Sequence, residues 1–415
     1  MNQKLLLTAA LIAAGIVSAD AANTIYLTGS SAFRGNCYNV LAAAAPTGPW
    51  DAAPDMAIRG SSTASKASYM LFHGNIGGTE TFVSCYWSGS EAGIASVAGN
   101  NIDNDGSPLP GAPATFMKTD GTVSYTVSSS NPSGAELEAT SRNADLSMAD
   151  TSKDVSLSSA FTLHDFGKVG IVPFTWVKNY QSTPLTAWNH LTNITHEQIR
   201  VLLGFPQVAA FFTGNTGDTN NVFPIGRNKG SGTRVNTLAD CGYGITKPVV
   251  QFSINGIPFS GVGDASTLTE VDNNGYESGG DVAKALRVDG TQTATDLLGG
   301  TGYIAVGYLG TGDAIASADA GNNLGALTVA NNWLALNGVM ESDGAIEEGQ
   351  YSMWGNEHLY GANGISGYKL DFGVAFRSLV ASSLGGSDPA AHSGGINLSY
   401  MHASKETDLA APTRL

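Results

Sequence analysis

The chain has 415 residues, 52 of them glycine; 42% are hydrophobic and only 13% charged. That balance excludes a disordered polypeptide, which is apolar-poor and charge-rich, and leaves ample material for a core. The formal net charge of −15 argues against a nucleic-acid backbone or an anionic membrane as partner, since no basic block offsets it.

The first residues read as an export signal. Lys4 supplies a positive start, residues 5–17 form an apolar run, and Ala19-Asp20-Ala21 fits a small-x-small cleavage site, so residues 1–21 are expected to be removed. The run is shorter than the roughly 20 residues that span a bilayer, and no cysteine follows it to carry a lipid. The expected mature protein is periplasmic or secreted. Cys37, Cys85 and Cys241 allow one disulfide at most, and their spacing matches no zinc pattern, so no metal or other cofactor is expected.

Residues 24–28 read as a strand, followed by the small-residue turn 29–33 and a helix through residue 44. Residues 82–87 read as extended, with a short helix opening in the turn 88–93. From 99 to 135 the composition shifts to Asn, Asp, Gly, Pro and Ser, which reads as a surface insertion with a hairpin strand at 122–127. Strands follow at 144–148 and 169–177. A helix is expected at 196–203 with Thr195 as its cap. A strand at 223–226 leads into Arg227-Asn-Lys-Gly-Ser-Gly-Thr233 and a helix. A helix at 281–288 and a strand at 303–309 complete the pattern, and the Gly- and Ser-rich tail from residue 382 reads as partly ordered at best. Alternating strands and helices predict an α/β protein with mainly parallel sheets.

Several loops share one design: a strand ends, Gly and Ser or Thr follow, and a helix begins. Each such turn leaves about four backbone N–H groups unpaired at the positive end of the helix dipole. Several of them together, with an Arg and a lone Asp, form a chemistry that holds a desolvated oxyanion.

These segments resemble the phosphate-binding proteins of ABC transporters, in the type 2 periplasmic-binding-protein family. The match is carried by Arg227-x-x-Gly230-Ser231-Gly232-Thr233, by residues 27–33, by Ser88-Gly-Ser-Glu-Ala-Gly93 and by Met148-Ala-Asp-Thr-Ser152, in that family's order along the chain. The resemblance implies two lobes joined by a hinge: residues 22–167 with 310–415, and residues 168–309. It implies inorganic phosphate as ligand in the interlobe cleft and an ABC permease as partner. The expected protein is a monomer that binds no nucleic acid and catalyses nothing; no nucleophile elbow or phosphate loop of the nucleotide type is present.

The site implied comprises Ser31, Ala32 and Phe33 as amide donors, Ser90, Asp150, and Arg227 with Ser231, Gly232 and Thr233. Arg227 offers a planar fork for two oxygens. Asp150 accepts the proton that hydrogen phosphate carries and sulfate lacks. The sequence departs from the family where Lys229 stands in place of an Asp and where Arg234-Val-Asn continues the loop. A secreted structural or surface-interaction protein on the same fold is the alternative reading.

Overall fold

The computed structural model describes residues 22–259, 267–291, 296–386, 388–407 and 410–415; the expected export signal at 1–21 lies outside them. The first strands and helices are β1 (Asn23–Gly29), α1 (Arg34–Leu41), β2 (Asp55–Arg59), β3 (Tyr69–Ile76), β4 (Thr79–Tyr86), α2 (Ser90–Ala98), β5 (Val127–Ser128) and β6 (Leu146–Ala149). The long β7 (His164–Lys178) follows, then α3 (Thr186–His190), β8 (Asn193–Ile194), α4 (His196–Leu202), β9 (Gln207–Val208), α5 (Ala210–Thr213), β10 (Asn221–Ile225) and α6 (Gly232–Asp240). Next come β11 (Phe252–Ile254), β12 (Leu268–Glu270), α7 (Gly279–Leu286), β13 (Tyr303–Gly310) and α8 (Thr311–Ala314). The chain closes with α9 (Val329–Asn332), β14 (Trp333–Leu336), α10 (Asp343–Glu347), β15 (Trp354–Gly361), α11 (Tyr368–Ser383), β16 (Ala403–Lys405) and β17 (Pro412–Arg414).

Local chemistry explains the helix starts. Thr195 and Gln198 form a reciprocal capping box at α4, and the hydroxyls of Ser231 and Ser278 accept from the third residue beyond them at α6 and α7. Helix α1 stops at Leu41, three residues short of the expected end.

One continuous sheet runs β12-β11-β10-β13-β7-β15-β6-β1-β4-β3-β2-β5. The central pairs β1–β4, β1–β6, β10–β13 and β10–β11 are parallel. The crossing strands β7 and β15 and the outer pairs β2–β3, β3–β4 and β11–β12 are antiparallel, so the sheet is mixed rather than mainly parallel. Strand β7 divides it. Its first part pairs with β15, and its last five residues, from Phe174, pair with β13.

The core follows from the two-residue period of a strand. On β13, Ile304, Val306 and Tyr308 enter one buried cluster, while Tyr303, Ala305 and Leu309 enter another. Both faces are covered, which is why the run reads as uniformly apolar. The first of these clusters reaches from Ile25 and Leu27 through Trp176 to Tyr308 and Trp354, crossing the join between the halves.

Three further expectations are corrected. Residues 122–127 make no hairpin: Val127 and Ser128 form a two-residue strand parallel to β2. Within 99–135, Leu109, Ala114, Phe116, Met117 and Val123 are buried, so this stretch covers the sheet instead of standing off it. The tail also packs. Ile396 is fully buried and bridges Ile171, and Lys405 Nζ donates to the Trp354 carbonyl at 2.6 Å. Scattered apolar anchors hold it without periodicity. The three cysteines are unpaired and buried.

Candidate functional site

The turns at the ends of β1, β4, β6 and β10 meet. Gly29, at φ 116°, brings the first turn against β6: a Cβ there would stand 1.8 Å from the Met148 carbonyl oxygen. Ser30 N–H donates to that oxygen at 2.8 Å. Its hydroxyl reaches Asp150 Oδ2 at 3.4 Å and accepts from Phe33 N–H at 3.3 Å. Ser31 Oγ accepts from Gly279 N–H, at 3.4 Å, from the opposite half. Ala32 packs against Gly310, and the Phe33 ring is buried toward Gly395. The first turn thus supplies fewer open amides than the sequence implied, because Ser30 holds that of Phe33.

Ser90 opens α2, and its Oγ accepts from Asp150 N–H at 3.1 Å. Asp150 follows β6 and is almost wholly buried. Its Oδ2 also accepts from Thr233 Oγ1 at 3.3 Å, and its carbonyl accepts from Asn236 Nδ2 at 2.8 Å. Burial pushes its carboxyl above the usual range; the hydroxyl of Ser90, the charge of Arg227 and the hydroxyls of Thr233 and Ser30 oppose that shift.

From the other half comes the loop after β10. Ser231 spends an acceptor lone pair capping α6, which leaves its O–H free to donate. Gly232 lies so close to the first half that a Cβ would stand 1.7 Å from Asp150 Oδ1, 2.5 Å from Thr151 Oγ1 and 2.7 Å from Ser90 Cβ. Arg227 is buried. Its Nε donates to the Tyr276 carbonyl at 3.1 Å and its Nη2 to that of Glu277 at 2.6 Å. The guanidinium is therefore held in place by the chain, and fewer of its donors face outward than a free fork would offer.

The two departures from the family pattern point away from Asp150. Lys229 Nζ lies 3.8 Å from Asp103 Oδ2. Arg234 Nη1 donates to the Arg227 carbonyl at 3.0 Å and Nη2 to Asn273 Oδ1, bracing the loop from behind. Sequence reasoning missed Ser30, Thr151 and Asn236. The first two adjoin the motif and were legible there, whereas Asn236 is fixed only by the turn of α6. The Tyr86 hydroxyl, at the end of β4, donates to the Glu277 carboxylate across the halves.

No protein-family model matches the sequence, and no curated protein matches it. Solved structures similar in arrangement include a Clostridium perfringens protein assigned to phosphate ABC transport and solved with bound phosphate (12% identity, covering 86% of this chain and 93% of that one, TM-score 0.45). An ABC-type phosphate transport receptor from Vibrio cholerae matches at 14% identity over 86% of this chain and 94% of that one, with TM-score 0.41. A phosphate-binding protein from Stenotrophomonas maltophilia matches at 13% over 88% and 84%, with TM-score 0.42.

Proposed function

We propose that the chain is an exported solute-binding protein that holds hydrogen phosphate between the two halves of its sheet and delivers it to an ABC permease. The observation that carries this reading is the position of Gly232: residue 150, just beyond β6, and residue 232, at the start of α6, approach so closely that only a glycine fits, with Ser90 and Thr151 beside it. Around that point the groups are of one kind. The Ser231 hydroxyl and the Arg227 guanidinium donate, the hydroxyls of Ser90 and Thr233 stand beside them, and the Asp150 carboxylate accepts. That set suits a tetrahedral oxyanion carrying one proton, because sulfate would set an oxygen against the carboxylate. An acidic protein performs this role through oriented local donors rather than overall charge.

In this reading β7 and β15 carry the hinge, and closure builds the surface that a permease recognises. Micromolar affinity requires about −8 kcal/mol, within reach of several charge-assisted bonds. Calorimetric titration of ligand-stripped protein with phosphate and with sulfate tests it. We expect one phosphate site and at least tenfold weaker sulfate binding. No heat with either anion overturns the reading and leaves the structural alternative. That alternative has its own support in the mutual pairing of Ser30, Ser90, Asp150 and Thr233.

A further inference from the structure

Arg34 opens α1 directly after Phe33, and its side chain is 2% exposed. Nη2 donates to Asp313 Oδ1 at 2.7 Å; Nε and Nη1 are buried with no partner among the described residues, and so is Asp313 Oδ2. The pair ties α1, which follows β1, to α8, which follows β13. It rests on the start of α7: a Cβ on Gly280 would stand 3.0 Å from Arg34 Nη2, and one on Gly279 would stand 2.5 Å from Asp313 Oδ2. The residues just before, Tyr276 and Glu277, supply the carbonyls that hold Arg227, and Arg227 feels the charge of both Arg34 and Asp313. Ser31, from the first turn, is tied to Gly279. Arg34 therefore stands beside the candidate site, among residues that already shape it.

A guanidinium stays charged at any working pH, and buried donors without an acceptor are rare. A plain structural ion pair satisfies both partners; here each side keeps unused hydrogen-bonding capacity. We propose that Arg34 is a second anion-gripping guanidinium of this site, donating from Nε and Nη1 to a small oxyanion while Asp313 of α8 holds it in position. This rests on the phosphate-binding reading and extends it. With Arg227, the site then carries two guanidiniums.

Calorimetric titration with inorganic phosphate tests this on wild type, Arg34→Gln and the double variant Arg34→Gln/Asp313→Asn. We expect Arg34→Gln to weaken phosphate binding about ten- to a hundredfold, the loss of a charge-assisted contact. The double variant should remain as weak, although it no longer leaves a buried carboxylate unpaired. If the double variant regains wild-type affinity, Arg34 is only half of an ion pair and the proposal falls; wild-type affinity in Arg34→Gln also refutes it. Should the single variant fail to fold, the double variant carries the test. Absence of phosphate binding by wild type itself would refute the functional reading instead, and is distinct from both.

Discussion

Gly232→Ala separates closure from folding. The backbone there has no left-handed φ, so the added methyl meets no conformational penalty of its own. Its cost is steric: three heavy atoms, all from the facing half, lie inside 3.0 Å of the new Cβ. Two of them are polar side-chain atoms, and the nearest, Asp150 Oδ1, cannot retreat without stretching the contacts from Thr233 and Ser30, already 3.3 and 3.4 Å long. Overpacking of this kind costs about 1–3 kcal/mol. If it is felt only when the halves meet, phosphate affinity falls by roughly 5- to 150-fold. Folding should not suffer, because Gly232 is the first residue of α6 and alanine favours a helix by up to about 1 kcal/mol over glycine.

We therefore expect calorimetry to show weakened phosphate binding and thermal unfolding to show an unchanged or slightly raised midpoint. Unaltered affinity would mean that these loops do not close on the ligand. A protein that fails to fold would mean that the contact lies in a rigid core rather than between moving parts. Either result refutes the reasoning.

Asp150→Asn replaces the acceptor by a side chain that also donates, so the ratio of phosphate to sulfate affinity should fall toward unity while stability holds or rises; competitive titration with the two anions reads the ratio. Arg227→Ala should cost several kcal/mol of anion affinity and, because it also strips the Tyr276 and Glu277 carbonyls of their donors, should lower the unfolding midpoint, which calorimetry and thermal melts measure together. Glu91 is buried in α2 and its carboxyl is pushed up from 4.5 to about 7, chiefly by loss of solvent. A folded-state value above the unfolded one gives stability that is full below about pH 4.5 and is lost as pH rises through 7, an amount of about 3 kcal/mol; urea unfolding across pH 4.5–7.5 should show that slope shrink in Glu91→Gln. Ile396→Ala, in the tail, should destabilise by about 2–5 kcal/mol, as for a buried core residue; a denaturation midpoint equal to wild type would show that the tail docks too weakly to matter.

What the sequence made legible was local. Apolar runs on β7 and β13, the hydroxyl cap at Thr195, and small-residue turns after four strands are each decided within a few residues. Those turns could be ordered along the chain, and the ends of parallel strands brought them together. What stayed hidden depends on distant partners. Arg34 and Asp313 are 279 positions apart, and nothing around Arg34 marks it as different from a solvated helix residue. The antiparallel crossing of β7 and β15 leaves no periodic trace, since both strands are buried along most of their length. The tail lacked a pattern because its anchors, Leu384, Ile396 and Ala403, are spaced for a loop rather than for a helix or strand.

The stretch 99–135 and the altered anion loop explain one another. Gly111, at φ 87°, passes so close to the second turn that a Cβ would stand 2.6 Å from Ser88 Cβ, 3.3 Å from Glu277 Oε1 and 3.4 Å from Ala92 Cβ. One residue earlier, the Pro110 carbonyl oxygen lies 2.4 Å from where a Cβ of Gly230 would be. The segment therefore touches the turns of both halves at once. Asp103, in the same stretch, lies opposite Lys229 at the position where the resembled family carries an acid. An acid at 229 would face Asp103 with like charge, whereas the lysine faces it with opposite charge. With Lys229 turned outward and Arg234 spent on bracing Asn273 and the Arg227 carbonyl, neither departure adds a cation beside Asp150. Under the proposed phosphate-binding reading, discrimination between a protonated and an unprotonated oxyanion then stays with the Asp150 carboxyl.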